Sequence, residues 1–122
     1  MAKKIIVADD STTVQRVVKL ILAPKGYDVV SCNSGKETLE EIKKGIPSII
    51  FADAVMKDIN GMELSLELKK KVKELSSIPV VILVNSFDNI SDSEFKKSKA
   101  VAKLMKPFDD AQLLEYVEKY SF

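Results

Sequence analysis

The chain has 122 residues, 46% of them hydrophobic and 30% charged, which suits one ordinary globular domain and is too little for two. Its 19 basic and 18 acidic side chains leave a formal net charge of +1, so no whole-molecule field draws it toward nucleic acid or an anionic membrane. Histidine is absent and Cys32 is the only cysteine, which excludes Ser-His-Asp and Cys-His catalysis, histidine-ligated zinc, phosphohistidine chemistry on this chain and an internal disulfide.

Carboxylate, hydroxyl and lysine chemistry remain. Cys32, in Val29-Val30-Ser31-Cys32, reads as a small buried or edge residue and fits a reducing compartment. After Met1-Ala2-Lys3-Lys4 the apolar run Ile5 to Ala8 stops at Asp9-Asp10, too soon for a signal peptide. Elsewhere Lys, Asp or Pro breaks every apolar stretch well short of the roughly 20 residues of a membrane-spanning helix, so a soluble, cytoplasmic protein is expected.

In chain order, Ile5–Ala8 predicts a strand. Val14, Val17, Val18, Ile21 and Leu22 follow helical spacing up to Pro24-Lys25-Gly26. Tyr27–Ser31 is a weaker strand placed toward a sheet edge. Ser34-Gly35-Lys36-Glu37 predicts a capping box, with the Ser34 hydroxyl and the Glu37 carboxylate each satisfying a backbone N–H, on a helix that stops near Gly45. Ile49–Ala52 is the third strand. Asn60-Gly61 opens a third helix with Leu64, Leu68, Val72 and Leu75 inward, and Val80–Val84 is the fourth strand. Between Asp88 and Ala100 only Ile90 and Phe95 are large and apolar; Ser91-Asp92-Ser93-Glu94 caps a short helix, expected to be the least stable element. Val101–Met105 is an edge strand, and a last helix from Asp109 or Asp110 buries Leu113, Leu114 and Val117.

The three central runs lack the in-and-out alternation of a strand with one wet face, as expected for parallel strands covered on both sides. The expected fold is α/β: one domain over residues 1–122, a five-stranded parallel sheet, doubly wound in the flavodoxin-like order 2-1-3-4-5, with five helices. Such sheets hold ligands beyond the carboxyl ends of their strands. The residues there are Asp9-Asp10, Asp53, Asn85-Ser86 and Lys106-Pro107-Phe108. Adjacent first and third strands crowd three carboxylates together, and a hard divalent cation answers their repulsion; oxygen ligands favour Mg2+. A carboxylate beside Mg2+ and Lys106 is arranged to attack a phosphoryl donor, forming an acyl phosphate that can hydrolyse and so act as a timer.

These residues resemble the receiver domains of bacterial two-component response regulators, above all the single-domain chemotaxis type, over essentially the whole chain. The likeness rests on Asp9-Asp10, on Asp53-Ala54-Val55-Met56-Lys57-Asp58-Ile59-Asn60-Gly61 and on Lys106-Pro107-Phe108. It implies Asp53 as phosphoacceptor, Asp10 as a direct Mg2+ ligand, Asp9 acting through water, the Val55 carbonyl as a further ligand, Lys106 paired with the phosphoryl group, and a cis peptide between Lys106 and Pro107. Three positions depart from the family. The usual hydroxyl ending strand four falls on Val84, with Ser86 as a substitute two residues on; the usual strand-five aromatic falls on Lys103; and Lys57 stands where proline is common.

The lysines at 69–71, 73, 96, 97 and 99 read as solvated helix faces rather than a nucleic-acid surface. Met56 and Phe108 read as packing residues, and Phe87 and Phe122 as partly buried residues ahead of partner anchors. The leading expectation is a single-domain response regulator in a phosphorelay, phosphorylated on Asp53 by a histidine kinase or phosphotransfer protein. With no output domain after the last predicted helix, it signals to another protein through the face built by its fourth predicted helix, fifth strand and fifth helix. It is not an enzyme beyond its own phosphorylation and dephosphorylation, and binds neither nucleic acid nor membrane. Two alternatives are a phosphorylation-independent, receiver-like binding module with a degenerate switch, and a Mg2+-dependent phosphatase of the haloacid dehalogenase type. The latter needs an acid at position 55, where this chain has Val55.

Overall fold

The computed structural model describes residues 3–71 and 73–121; readings that fall on Met1, Ala2, Val72 and Phe122 lie outside the described residues. The elements are β1 (Lys4–Ala8), α1 (Thr12–Leu22) with a closing turn of 3-10 helix (Ala23–Lys25), β2 (Asp28–Cys32), α2 (Gly35–Lys44), β3 (Ile49–Asp53), α3 (Gly61–Lys69), α4 (Lys73–Ser76), β4 (Val80–Asn85), α5 (Asp92–Ser98), β5 (Ala102–Lys106) and α6 (Asp110–Tyr120). All strand pairings are parallel and the order is β2-β1-β3-β4-β5. No helix among the described residues is long and apolar enough to cross a membrane.

The continuous apolar runs become β1, β3 and β4 because helices cover both faces of the sheet. Alternate residues serve opposite cores. Ile6, Ala8, Ile50, Ile82 and Val84 meet Leu64 and Leu68 of α3, whereas Ile5, Val7, Phe51 and Leu83 meet Val18 and Leu22 of α1 and Leu113 and Val117 of α6. Each of the Val, Leu, Ile and Phe side chains contributes about 1.5–3 kcal/mol by leaving water. Cys32 is buried on the edge strand β2, and its burial pushes the thiol pKa up.

Among the described residues six helices form where five are expected. The third predicted helix, drawn as continuous through Leu75, ends at Lys69 and resumes as the single turn α4. Lys69 Nζ donates to the carbonyls of Ser76 at 2.7 Å and Ile78 at 3.2 Å, tying the end of α3 to the chain that follows α4. A continuous helix would also set Lys69 and Lys70 one turn from Lys73, where like charges repel. Lys69 is therefore no solvated-face residue: burial, then the nearby Lys99 charge, lower its pKa, while Lys70, Lys71, Lys73, Lys96, Lys97 and Lys99 are exposed. Leu75 still packs onto the core.

The caps differ in a related way. Ser34 Oγ accepts from the Glu37 N–H at 3.1 Å, but the Glu37 carboxylate does not close the box. The other first-turn donors of α2, Gly35 N and Lys36 N, go to the Asp58 carboxylate at 3.0 and 2.7 Å, which pins the β3–α3 loop to the start of α2. Complete boxes form instead at Asn60 with Glu63 and at Asp109 with Gln112.

Gly61 sets the distance between α3 and the end of β3. A Cβ there would lie 2.7 Å from the Asp53 carbonyl oxygen and 2.9 Å from that of Ala52. These are backbone atoms that cannot rotate away, so Gly61→Ala is expected to destabilise the fold by about 1–3 kcal/mol, read as a lower urea midpoint at unchanged slope.

Candidate functional site

Three strand ends converge. Asp9 follows β1 directly, its backbone N–H donating to the Cys32 carbonyl at 3.0 Å, and its side chain is fully buried. Asp53 closes β3 and is 5% exposed. Lys106 closes β5 opposite Asn85 of β4 and lies over the sheet end, its Nζ 3.2 Å from Asp9 Oδ2 and 3.3 Å from Asp53 Oδ1. The other Asp9 oxygen accepts the Ser11 N–H at 2.9 Å, and Asp53 Oδ1 accepts the Val55 N–H at 3.3 Å. Asp10 is exposed, yet its carboxylate and those of Asp9 and Asp53 each offer an oxygen within 4.8 Å of the others. The peptide bond between Lys106 and Pro107 is cis.

A pocket of about 510 Å3 opens above this cluster on the α1 side, lined by Asp9, Asp10, Asp53, Asn85, Lys106 and Phe108 among others. Three carboxylates face one ammonium there. Burial, followed by the Asp9 charge, pushes the Asp53 carboxyl up to about 6 against the opposing pull of the Val55 N–H and Lys106. For Lys106 burial works against the charged form, but the Asp9 and Asp53 charges outweigh it and raise its pKa, so it stays protonated at neutral pH. An oxygen-only donor set with excess negative charge suits a hard cation such as Mg2+.

The structure thus brings Asp9, Asp10, Asp53 and Lys106 together, with the exposed Val55 beside Asp53. The three residues expected to carry a switch lie elsewhere. Val84 is buried in the core on the opposite sheet face, because its position on β4 alternates with those of Leu83 and Asn85. Ser86 is exposed in the turn after β4. Lys103 extends its ammonium over the Phe95 ring, 5.1 Å from the centroid, while its backbone carbonyl accepts from the Tyr116 hydroxyl at 2.8 Å. Lys57 is exposed, outside the pocket lining. Met56 packs in the core as expected; Phe108 both packs and lines the pocket. Phe87, expected to be partly buried, is 82% exposed.

The sequence reading assigned no role to Asn85, Asp58 or Gln15. Gln15 Nε2 donates to the Asp9 carbonyl at 2.6 Å and to Asn33 Oδ1 at 2.7 Å, bracing the turn that carries Asp9. Asn85 already stood among the strand-end residues, and strand parity sets it on the pocket side, two residues beyond the Leu83 that pairs with Asp53. The contacts of Asp58 and Gln15 had no local signal.

Comparison with known proteins gives one consistent likeness. Residues 5–118 match the family described as response regulator receiver domain. Protein PilG of Pseudomonas aeruginosa is 32% identical over 120 residues, covering 96% of this chain and 86% of PilG. Sensory transduction protein LytT of Bacillus anthracis is 27% identical, covering 96% of this chain but 46% of LytT. The chain spans 35% to 46% of the length of the first four curated relatives it matches. Chemotaxis response regulator CheY4 of Vibrio cholerae superposes with a TM-score of 0.88 at 24% identity, covering 98% of this chain and 99% of CheY4, a likeness of fold.

The raised Asp53 pKa carries a stability consequence. A folded value of about 6 against an ordinary 3.8 means that the folded state holds a proton which the unfolded state releases between these pH values. Ionising Asp53 therefore destabilises the fold progressively as pH rises from about 4 to 7. Asp53→Asn is expected to raise stability at pH 7 in chelator by about 2–3 kcal/mol, with the gain vanishing near pH 4, as checked by urea titrations across that range.

Proposed function

Because this chain belongs to the response regulator receiver family of two-component signalling, we propose that Asp53 accepts a phosphoryl group, with Mg2+, from the phosphohistidine of a histidine kinase or a phosphotransfer protein. The observation that carries this reading is the meeting of Asp9, Asp10 and Asp53 with Lys106 at one sheet end, within a pocket open to a donor.

An Asp53 carboxylate oxygen attacks phosphorus in line with the donor bond. The new P–O bond forms as the P–N bond of phosphohistidine breaks, and the nitrogen keeps the electron pair. Lys106, already 3.3 Å from Asp53, stays charged and holds an equatorial phosphoryl oxygen. Asp10, Asp53 and the Val55 carbonyl would hold Mg2+ directly and Asp9 through water; bound there, it supplies positive charge against the phosphoryl oxygens. The Ser11 N–H and the Lys106 ammonium hold the Asp9 carboxylate oriented for that task. Water attacking the acyl phosphate returns Asp53 and inorganic phosphate, so the chain's own chemistry is confined to gaining and losing one group.

Output passes to another protein through the face of α5, β5 and α6. Val101 and Met105 are exposed along β5, Lys103 lies between them, and Phe87 projects from the loop before α5.

Incubation with acetyl phosphate and Mg2+ is expected to give a single phosphoryl adduct by intact mass. The adduct should be lost in Asp53→Asn and in chelator, and its formation should slow about 100-fold in Lys106→Ala. Absence of any adduct on the wild-type chain would overturn the reading.

A further inference from the structure

The loop between β3 and α3 carries Val55, whose carbonyl accepts no hydrogen bond among the described residues. What fixes this peptide is therefore the anchoring of the loop on either side of it. On the near side the Ala54 N–H donates to the Leu83 carbonyl at 2.8 Å and the Val55 N–H to Asp53 Oδ1 at 3.3 Å. Met56 adds a buried side chain, but an unbranched, adaptable one that leaves the peptide before it free to tilt.

On the far side the anchor is Asp58. Its Oδ1 accepts the Gly35 N–H at 3.0 Å and the Ile59 N–H at 2.7 Å, while Oδ2 accepts the Lys36 N–H at 2.7 Å. Both oxygens are engaged, and two of the three donors are the first two N–H groups of α2, where a carboxylate bonds strongly because it is charged and meets the positive end of the helix dipole. Steric fit closes the same joint. A Cβ at Gly35 would overlap Ile59 Cγ1 and stand 3.3 Å from the Ile59 carbonyl oxygen, so the loop lies directly against the helix start. Asp58 is exposed and stands outside the pocket lining, which leaves it two routes of influence on a cation there: its charge, and the loop.

We propose that Asp58 is a positioning residue for the cation site: by latching the β3–α3 loop to α2 it holds the Val55 carbonyl in one place, and so favours Mg2+ over larger cations. The inference rests on the reading of Asp10, Asp53 and the Val55 carbonyl as Mg2+ ligands. Mg2+ requires near-ideal octahedral placement of its oxygens, whereas Ca2+ accepts irregular sets. A loosened carbonyl therefore penalises Mg2+ more than Ca2+, while loss of the Asp58 charge alone weakens both alike.

Full-length chains titrated with Mg2+ or with Ca2+ and followed by amide NMR test this. Asp58→Ala is expected to weaken Mg2+ binding about tenfold, the lower end of what losing the support of a metal ligand costs, and Ca2+ binding by no more than about threefold. Asp58→Asn keeps one acceptor oxygen without the charge, and its Mg2+ affinity is expected to fall between those of wild type and Asp58→Ala. Ser34→Ala removes a bond to the same helix start, that from the Glu37 N–H at 3.1 Å, without touching the loop. It is expected to lower the melting temperature yet leave both affinities within about twofold of wild type. Should Asp58→Ala fail to melt cooperatively, the ratio of Mg2+ to Ca2+ affinity in Asp58→Asn, expected to fall below that of wild type, decides in its place. Wild-type Mg2+ affinity in folded Asp58→Ala, equal losses of Mg2+ and Ca2+, or a loss in Ser34→Ala as large as in Asp58→Ala would each overturn the proposal and leave the ligand reading standing. A wild-type chain that takes up neither cation at millimolar levels would overturn the ligand reading and this inference with it.

Discussion

The constraint on which the site depends is negative charge buried at a sheet end and held by a single lysine. Asp9 has no exposure to water and Asp53 almost none, and an uncompensated ion in such a place costs several kcal/mol. Lys106 meets both acids from β5, with β4 lying between it and β3. Strands lie about 4.8 Å apart, so Lys106 begins roughly two strand widths from Asp53, and a long flexible stem is needed to close that distance. The backbone N–H groups of Ser11 and Val55 add local support, yet the balance stays negative. That residual charge makes the pocket receptive to a cation while the apolar cores beneath keep the strand ends in place.

Much of this was legible in the sequence because fully covered parallel strands have an unmistakable composition. Ile5–Ala8, Ile49–Ala52 and Val80–Val84 could not be half-wet strands, and once they were parallel, the residues just past them had to share one edge. Asp9, Asp10, Asp53 and Lys106 followed from that geometry and from the receiver likeness together. Where the reading missed, the decisive contact was remote in sequence or a matter of parity. The Asp58 carboxylate takes the Gly35 and Lys36 N–H groups at the start of α2 from 22 to 23 residues away. Likewise, the Lys69 ammonium helps end a helix that hydrophobic spacing alone would continue. The family likeness drew attention to Val84, whereas the pleat turns that residue into the opposite core and leaves Asn85 over the pocket.

The same alternation sets Lys103 apart from the site. Lys103 carries its charge on the outer side of β5, resting on Phe95 of α5, and its carbonyl takes the Tyr116 hydroxyl of α6. A cation on a ring and a hydroxyl on a carbonyl therefore link both flanking helices to one residue of the edge strand. This link has no branch into the pocket among the described contacts.

Strand order has a further consequence, for the chain while it is still folding. Among the described residues no two strands form a hairpin, since every pairing is parallel and each needs a crossover. The Lys106–Asp9 pair joins residues 97 positions apart, Asp9 just after the first strand and Lys106 at the end of the last. Pairing of β1 with β3 brings the three aspartates together, but Lys106 joins them only after the final strand has docked. The complete constellation is therefore among the last features of the fold to form.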